Sequence, residues 1–126
     1  MSQATGAVKV AVLGASRHPW RYAYRAVELL RARGYLPIGI NPTLTELGDV
    51  PLVAAVKELP PGVDTLTMYV APERSRALAD EICAYGFRRV IFNPGSENPA
   101  LARALEARGV EVVEACTLVL LTTGEF

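Results

Sequence analysis

Apolar and polar residues along this chain of 126 residues alternate between two periods. Residues 8–13, 36–40, 65–70, 89–92 and 110–113 are short, largely apolar runs. Runs of this length, nearly continuous in apolar character, predict strands covered on both faces. Residues 20–33, 74–85 and 97–108 predict helices. In the first of them Ala23, Val27 and Leu30 recur at steps of four and three, as one helix face requires. Gly34, Gly86 and Gly109 follow the three helices where a left-handed C-terminal residue belongs. Pro72-Glu73 reads as the start of the second helix. Residues 43–61 are the least regular, with one or two helical turns expected across 52–59. The tail, 116–121, predicts a short helix or an extended cover.

Strands alternating with helices mean a parallel sheet with crossover helices. No repeat, low-complexity tract or linker divides the chain, so residues 1–126 form one α/β domain, with residues 1–7 as a flexible lead. Right-handed crossovers and short loops predict a doubly wound, five-stranded sheet of order 3-2-1-4-5. The order 2-1-3-4-5 is the competitor.

Composition narrows the function. Hydrophobic residues make up 51% of the chain and charged residues 21%, which suits a packed core and not a disordered segment. Thirteen basic and thirteen acidic side chains cancel. A nucleic-acid partner is therefore not expected, since such binders carry a basic excess. The longest uncharged apolar runs, such as residues 117–122, are far short of the ~20 residues that span a bilayer, so no membrane partner is expected. The leading residues are small and polar, with no apolar signal core. Cys83 and Cys116 make no disulfide framework. Both features point to the cytoplasm. With one histidine, His18, and no paired-cysteine spacing, no metal site is expected.

In a doubly wound sheet, ligands bind beyond the carboxyl ends of the strands, where strand order reverses. The loop after the first strand holds Gly14, Ala15 and Ser16, then Arg17 and Arg21 at the start of a helix. Gly14 allows a sharp turn and close approach of a phosphate. The helix offers free N–H groups and the positive end of its dipole. Only the first glycine of the G-x-G-x-x-G fingerprint is present, because Ser16 and Pro19 occupy the other two glycine positions. After the second strand comes Ile40-Asn41-Pro42, with no carboxylate before Glu46. Proteins that hold NAD by its ribose diol usually place an acid there, so NAD(P) is disfavoured. Cys83 sits on a helix and reads as packing. Cys116, just past the fifth strand, stands at the ligand edge. One histidine and scattered carboxylates give no convergent acid–base pair, so no catalytic residue is expected.

The ordered set of segments resembles a known family. The segments are residues 10–16 (VAVLGAS), Gly34-Tyr35 leading to Gly39-Ile40-Asn41-Pro42, Val63-Asp64 with Val70-Ala71-Pro72 after the third strand, residues 92–96 (FNPGS) and residues 109–117 (GVEVVEACT). Together they are similar to the small stand-alone CoA-binding domain proteins and to the CoA-binding domain of the succinyl-CoA synthetase alpha subunit. The resemblance implies a Rossmann-like fold and coenzyme A, or an acyl-CoA, as ligand. It implies that Gly14, Ala15, Ser16 and Arg17 hold the pyrophosphate. Asn41 and Pro42, with Val70, Ala71 and Pro72, would flank the adenosine. Asn93, Pro94 and Gly95 would line the pantetheine path, with Cys116 towards its thiol end. Many relatives carry a basic residue after the Asn-Pro, where this chain has Thr43 and Leu44. Nothing resembles the synthetase's phosphohistidine segment, so its catalysis is not implied. The expectation is a non-catalytic CoA carrier, sensor or accessory module, with an NAD(P)-type regulatory module or a CoA-linked enzyme needing a partner chain as alternatives. A homodimer and a separate partner enzyme both stay open.

Overall fold

A computed structural model describes residues 7–126 of the chain; residues 1–6 of the expected flexible lead lie outside them. Six parallel strands form one sheet: β1 (Lys9–Leu13), β2 (Leu36–Ile40), β3 (Leu52–Val53), β4 (Val63–Met68), β5 (Arg89–Phe92) and β6 (Glu111–Glu114). Four α-helices cover it: α1 (Tyr22–Ala32), α2 (Pro72–Tyr85), α3 (Pro99–Glu106) and α4 (Thr117–Thr123). The Rossmann-like, doubly wound class is as the sequence implies.

Numbered along the chain, the order is β3-β2-β1-β4-β5-β6. It opens 3-2-1-4-5 with one strand more than the pattern predicts. The third strand, however, is a different segment. The predicted third strand is β4, which pairs with β1, the neighbour that the competing order 2-1-3-4-5 gives it. The edge beyond β2 is taken by Leu52–Val53, where the pattern predicts helical turns. The Gly39 amide donates to the Pro51 carbonyl at 2.9 Å, and the Asn41 amide to Val53 at 3.0 Å. These tertiary bonds make a strand of a segment too short to show a period. Of the one or two helical turns expected across 52–59, one 3-10 turn is present, Val56–Glu58.

Alternation along the strands divides the core. Val10 and Val12 face α1 and α4, with Ala23, Val27, Leu30 and Leu121. Ala11 and Leu13 face the other way, into a cluster with Leu66, Met68, Ile82, Phe92, Leu101 and Leu105. Each such large side chain, fully buried, contributes about 1.5–3 kcal/mol of hydrophobic stabilisation.

β4 breaks the apolar pattern of a central strand, because Thr65 and Thr67 are fully buried within it. Their hydroxyls have partners. Thr67 bonds Thr117 of α4 at 2.7 Å, and Thr65 accepts from the Arg89 guanidinium at 3.3 Å. Buried hydroxyls paired in this way avoid most of the desolvation penalty. Among the described residues, no helix is long and apolar enough to cross a membrane.

Candidate functional site

The sheet order reverses between β1 and β4, and a cleft of about 260 Å³ opens there at the strands' carboxyl ends. Its walls come from three loops and a helix start. Gly14 and Ser16 follow β1, Tyr69, Val70 and Ala71 follow β4, and Pro94, Gly95 and Ser96 follow β5. Arg21, Tyr22 and Ala23 bring the beginning of α1 to the same space.

Gly14 has φ +89°, a conformation that side-chain-bearing residues rarely adopt. A Cβ there would also lie 3.1 Å from the Tyr69 carbonyl oxygen and 3.0 Å from Val70 Cγ1. The glycine is thus required by the turn and by the packing of the β1 and β4 exits. The amides of Gly14 and Ala15 both donate to the Ile40 carbonyl, at 3.0 and 3.3 Å. They are spent within the fold, so a ligand must be met further on.

Beyond Ser16 and Arg17 comes the first turn of α1. Its N-cap residue is Arg21, and no side chain caps the helix. α2 likewise has no side-chain cap, whereas in α3 the Asn98 side chain accepts from the Leu101 amide at 3.1 Å. An uncapped helix start presents unpaired N–H groups and the positive end of the dipole. Here the helix starts at Arg21, and Arg21, Tyr22 and Ala23 line the cleft. This arrangement suits an anion with several oxygen acceptors.

Of the residues singled out from sequence, Gly14, Ser16, Arg21, Val70, Ala71, Pro94 and Gly95 line the cleft. The others stand elsewhere. Arg17 lines a separate cleft of about 290 Å³, between α1 and the loop Glu46–Val50. Ala15 is buried, and its carbonyl accepts from Asn41 Nδ2 at 2.8 Å. The other end of the Asn41 amide accepts from the amides of Thr43 and Leu44, at 2.8 and 3.1 Å. Asn41 therefore braces the β2 exit against the β1 exit. Pro42 is exposed beside it, and Pro72 begins α2.

Asn93 is buried and serves as a knot. Its Nδ2 donates to Thr67 Oγ1 at 2.7 Å and to the Met68 carbonyl at 2.9 Å, while its Oδ1 accepts from the Thr117 amide at 2.7 Å. It ties β5 to β4 and caps α4 from outside that helix. Cys116, at the N-cap position of α4, is half-buried, and both cysteines are free thiols.

Sequence reasoning missed Tyr22, Ala23 and Tyr69; Ser96 lies in the segment 93–96 that it placed at the ligand edge. The pattern starts the first helix at residue 20 and runs the third strand to residue 70. Two residues less of helix and two less of strand turn Tyr22 and Tyr69 into wall residues. The Tyr69 hydroxyl is buried without a hydrogen-bond partner. Burial pushes its phenol up to about 12. The described residues hold no group of three or more His, Cys, Asp or Glu side chains suited to a metal ion.

Comparison with known proteins gives a consistent set of likenesses. A family model described as CoA binding domain matches residues 8–122. The uncharacterized protein YneT of Bacillus subtilis (strain 168) is 29% identical over 105 residues, covering 83% of this chain and 78% of that protein. A crystal structure of an uncharacterized protein has a TM-score of 0.89 and 36% identity, covering 96% of this chain and 99% of that one. The fold also recurs in the dinucleotide forming acetyl-coenzyme A synthetase 1 of Ca. Korarchaeum cryptofilum. There the TM-score is 0.73 at 23% identity, over 85% of this chain and 25% of that one.

Proposed function

Since the chain belongs to the CoA-binding domain family, we propose that it binds coenzyme A or an acyl-CoA at the switch-point cleft, as a non-catalytic carrier, sensor or accessory module of the cytoplasm. The uncapped start of α1, set beside Arg21 where the strand order reverses, carries this proposal. The pyrophosphate accepts from the amides of the first turn of α1 and from Arg21, with the Ser16 hydroxyl beside it. The cleft's volume suits a pyrophosphate, and the rest of so long a ligand lies along the loops on either side. The adenosine runs towards Asn41 and Pro42, past Val70, Ala71 and Pro72. The pantetheine passes Pro94 and Gly95 towards Cys116. Asn93 acts from beneath, by holding the β5 exit and the start of α4 in place. Ala15 acts likewise, through its backbone. Arg17 belongs to the outer rim, where it attracts the anion without lining its cleft.

The β2 exit supports CoA over NAD. The Asn41 side chain bonds its own loop and Ala15, and in the sequence no carboxylate follows it before Glu46 to clamp a ribose diol. CoA is expected to raise the melting temperature in a concentration-dependent way, because it binds only the folded state. At a hundred times the dissociation constant the rise is roughly 10 °C. NAD and NADP at equal concentration are expected to do much less. A scanning-fluorimetry titration decides it, and a shift with NAD equal to that with CoA would overturn the CoA assignment.

A further inference from the structure

Five large apolar side chains stand exposed among the described residues, and three of them, Trp20, Tyr22 and Val119, lie on or beside α1 and α4. An open groove of about 520 Å³ runs between these two helices. Leu29 and Leu118 give it apolar walls, and Arg25 and Glu28 line it from α1. Exposed apolar side chains gathered on one face mark an interaction surface.

The exposed face of α1 is its own complement. The helix buries Ala23, Ala26, Val27 and Leu30. Opposite that stripe, Arg25 and Glu28 occupy the middle of the outer face, flanked by Tyr24 and Leu29. Arg25 and Glu28 take part in none of the ion pairs found among the described residues. A two-fold axis between Ala26 and Val27 sets two such helices antiparallel. It brings Arg25 against Glu28 of the second copy, twice, and Tyr24 against Leu29 of the second copy, twice. An isologous interface needs this self-matching, because one patch must serve both sides. A parallel pairing would set Arg25 on Arg25.

We propose that the outer face of α1, with Leu118 and Val119 of α4 at its flank, is a homodimer interface on which a second copy of this chain packs antiparallel. The apolar and aromatic side chains flanking the ion pairs supply the affinity through the surface they bury. The two symmetric ion pairs fix the register and exclude other pairings. Because the first turn of α1 lines the ligand cleft, the two clefts lie at opposite ends of the helix pair, and both stay open.

Sedimentation velocity over a concentration series of the full chain tests this. The native chain is expected to dimerise with rising concentration. Arg25→Glu alone and Glu28→Arg alone each set like charges together and are expected to weaken the dimer at least about tenfold. The double variant Arg25→Glu/Glu28→Arg restores opposite charges across the two-fold and is expected to recover the native association. Both positions are exposed, so unchanged melting curves identify the loss as one of association. A chain that stays monomeric up to its solubility limit overturns the proposal. So does a dimer indifferent to the single reversals, or a double variant that stays dissociated.

Discussion

Arg17 and Arg21 stand one helical turn apart in sequence, yet their side chains reach different clefts. Arg21 is the N-cap residue of α1 and lines the switch-point cleft. Arg17 comes before the helix and turns to the loop Glu46–Val50. Sequence distance suggests that they share one anion; the direction of the chain entering α1 separates them. Arg21→Ala is therefore expected to weaken CoA binding by about 1.5–3 kcal/mol, the worth of a charge-assisted bond. Arg17→Ala is expected to cost a fraction of that, since an outer charge is screened by solvent. Titration calorimetry on the two variants separates them. Equal losses would restore Arg17 to the anion site, and an unchanged affinity in Arg21→Ala would remove Arg21 from it.

The exits of the strands are built from side chains that serve as backbone partners. Asn41 closes the β2 exit, Asn93 joins the β5 exit to β4 and α4, and Asn98 caps α3 while donating to Ser75 of α2 at 2.9 Å. Each amide offers both a donor and an acceptor, which a hydroxyl or a carboxylate cannot match at a fixed spacing. Sequence shows the asparagines and cannot show which face each amide meets. Asn93→Ala would leave the Thr117 amide and the Met68 carbonyl without this partner in a buried place. A loss of about 2–3 kcal/mol is expected, read as a fall in the urea midpoint at unchanged slope. A loss below about 1 kcal/mol would show that Asn93 does not hold these elements together.

Across the whole molecule, charge at the amino ends of the strands is arranged differently from charge at the ligand edge. Arg88 makes two bonds to the Asp64 carboxylate, at 2.8 and 2.9 Å, and a longer one to Glu111 at 3.3 Å. It thereby links the starts of β4, β5 and β6. The Arg88 guanidinium holds the Asp64 carboxyl below the usual carboxylate range, against a smaller rise from partial burial. A carboxyl whose folded pKa is depressed stabilises the fold above its unfolded value and loses that contribution as pH falls through the folded one. Asp64→Asn is expected to lower stability at neutral pH by less than about 1 kcal/mol, since the pair is largely solvated. The difference from the native chain should shrink as pH falls below the usual carboxylate range and through the depressed folded value. Denaturation midpoints of both proteins across that range give the answer; a difference that persists in acid would assign the effect to packing instead of charge.

The sequence by itself determined the class of fold. Apolar runs of strand length, separated by helical periods and stopped by glycines, admit little besides a wound parallel sheet. It also pointed to the end of the sheet where the candidate cleft lies, because Gly14, Asn41, Pro94 and Gly95 follow strands and not helices. Tertiary structure decided the rest. It made Leu52–Val53 an edge strand, since two residues carry no period and become a strand only by bonding β2. It set β4 beside β1, because strand order depends on contacts between segments far apart in the chain. It also decided which site residues face the cleft and which hold it up. Asn93 and Arg17 left the wall while Tyr22 and Tyr69 joined it, because a side chain's direction follows from helix start and strand end to within a single residue.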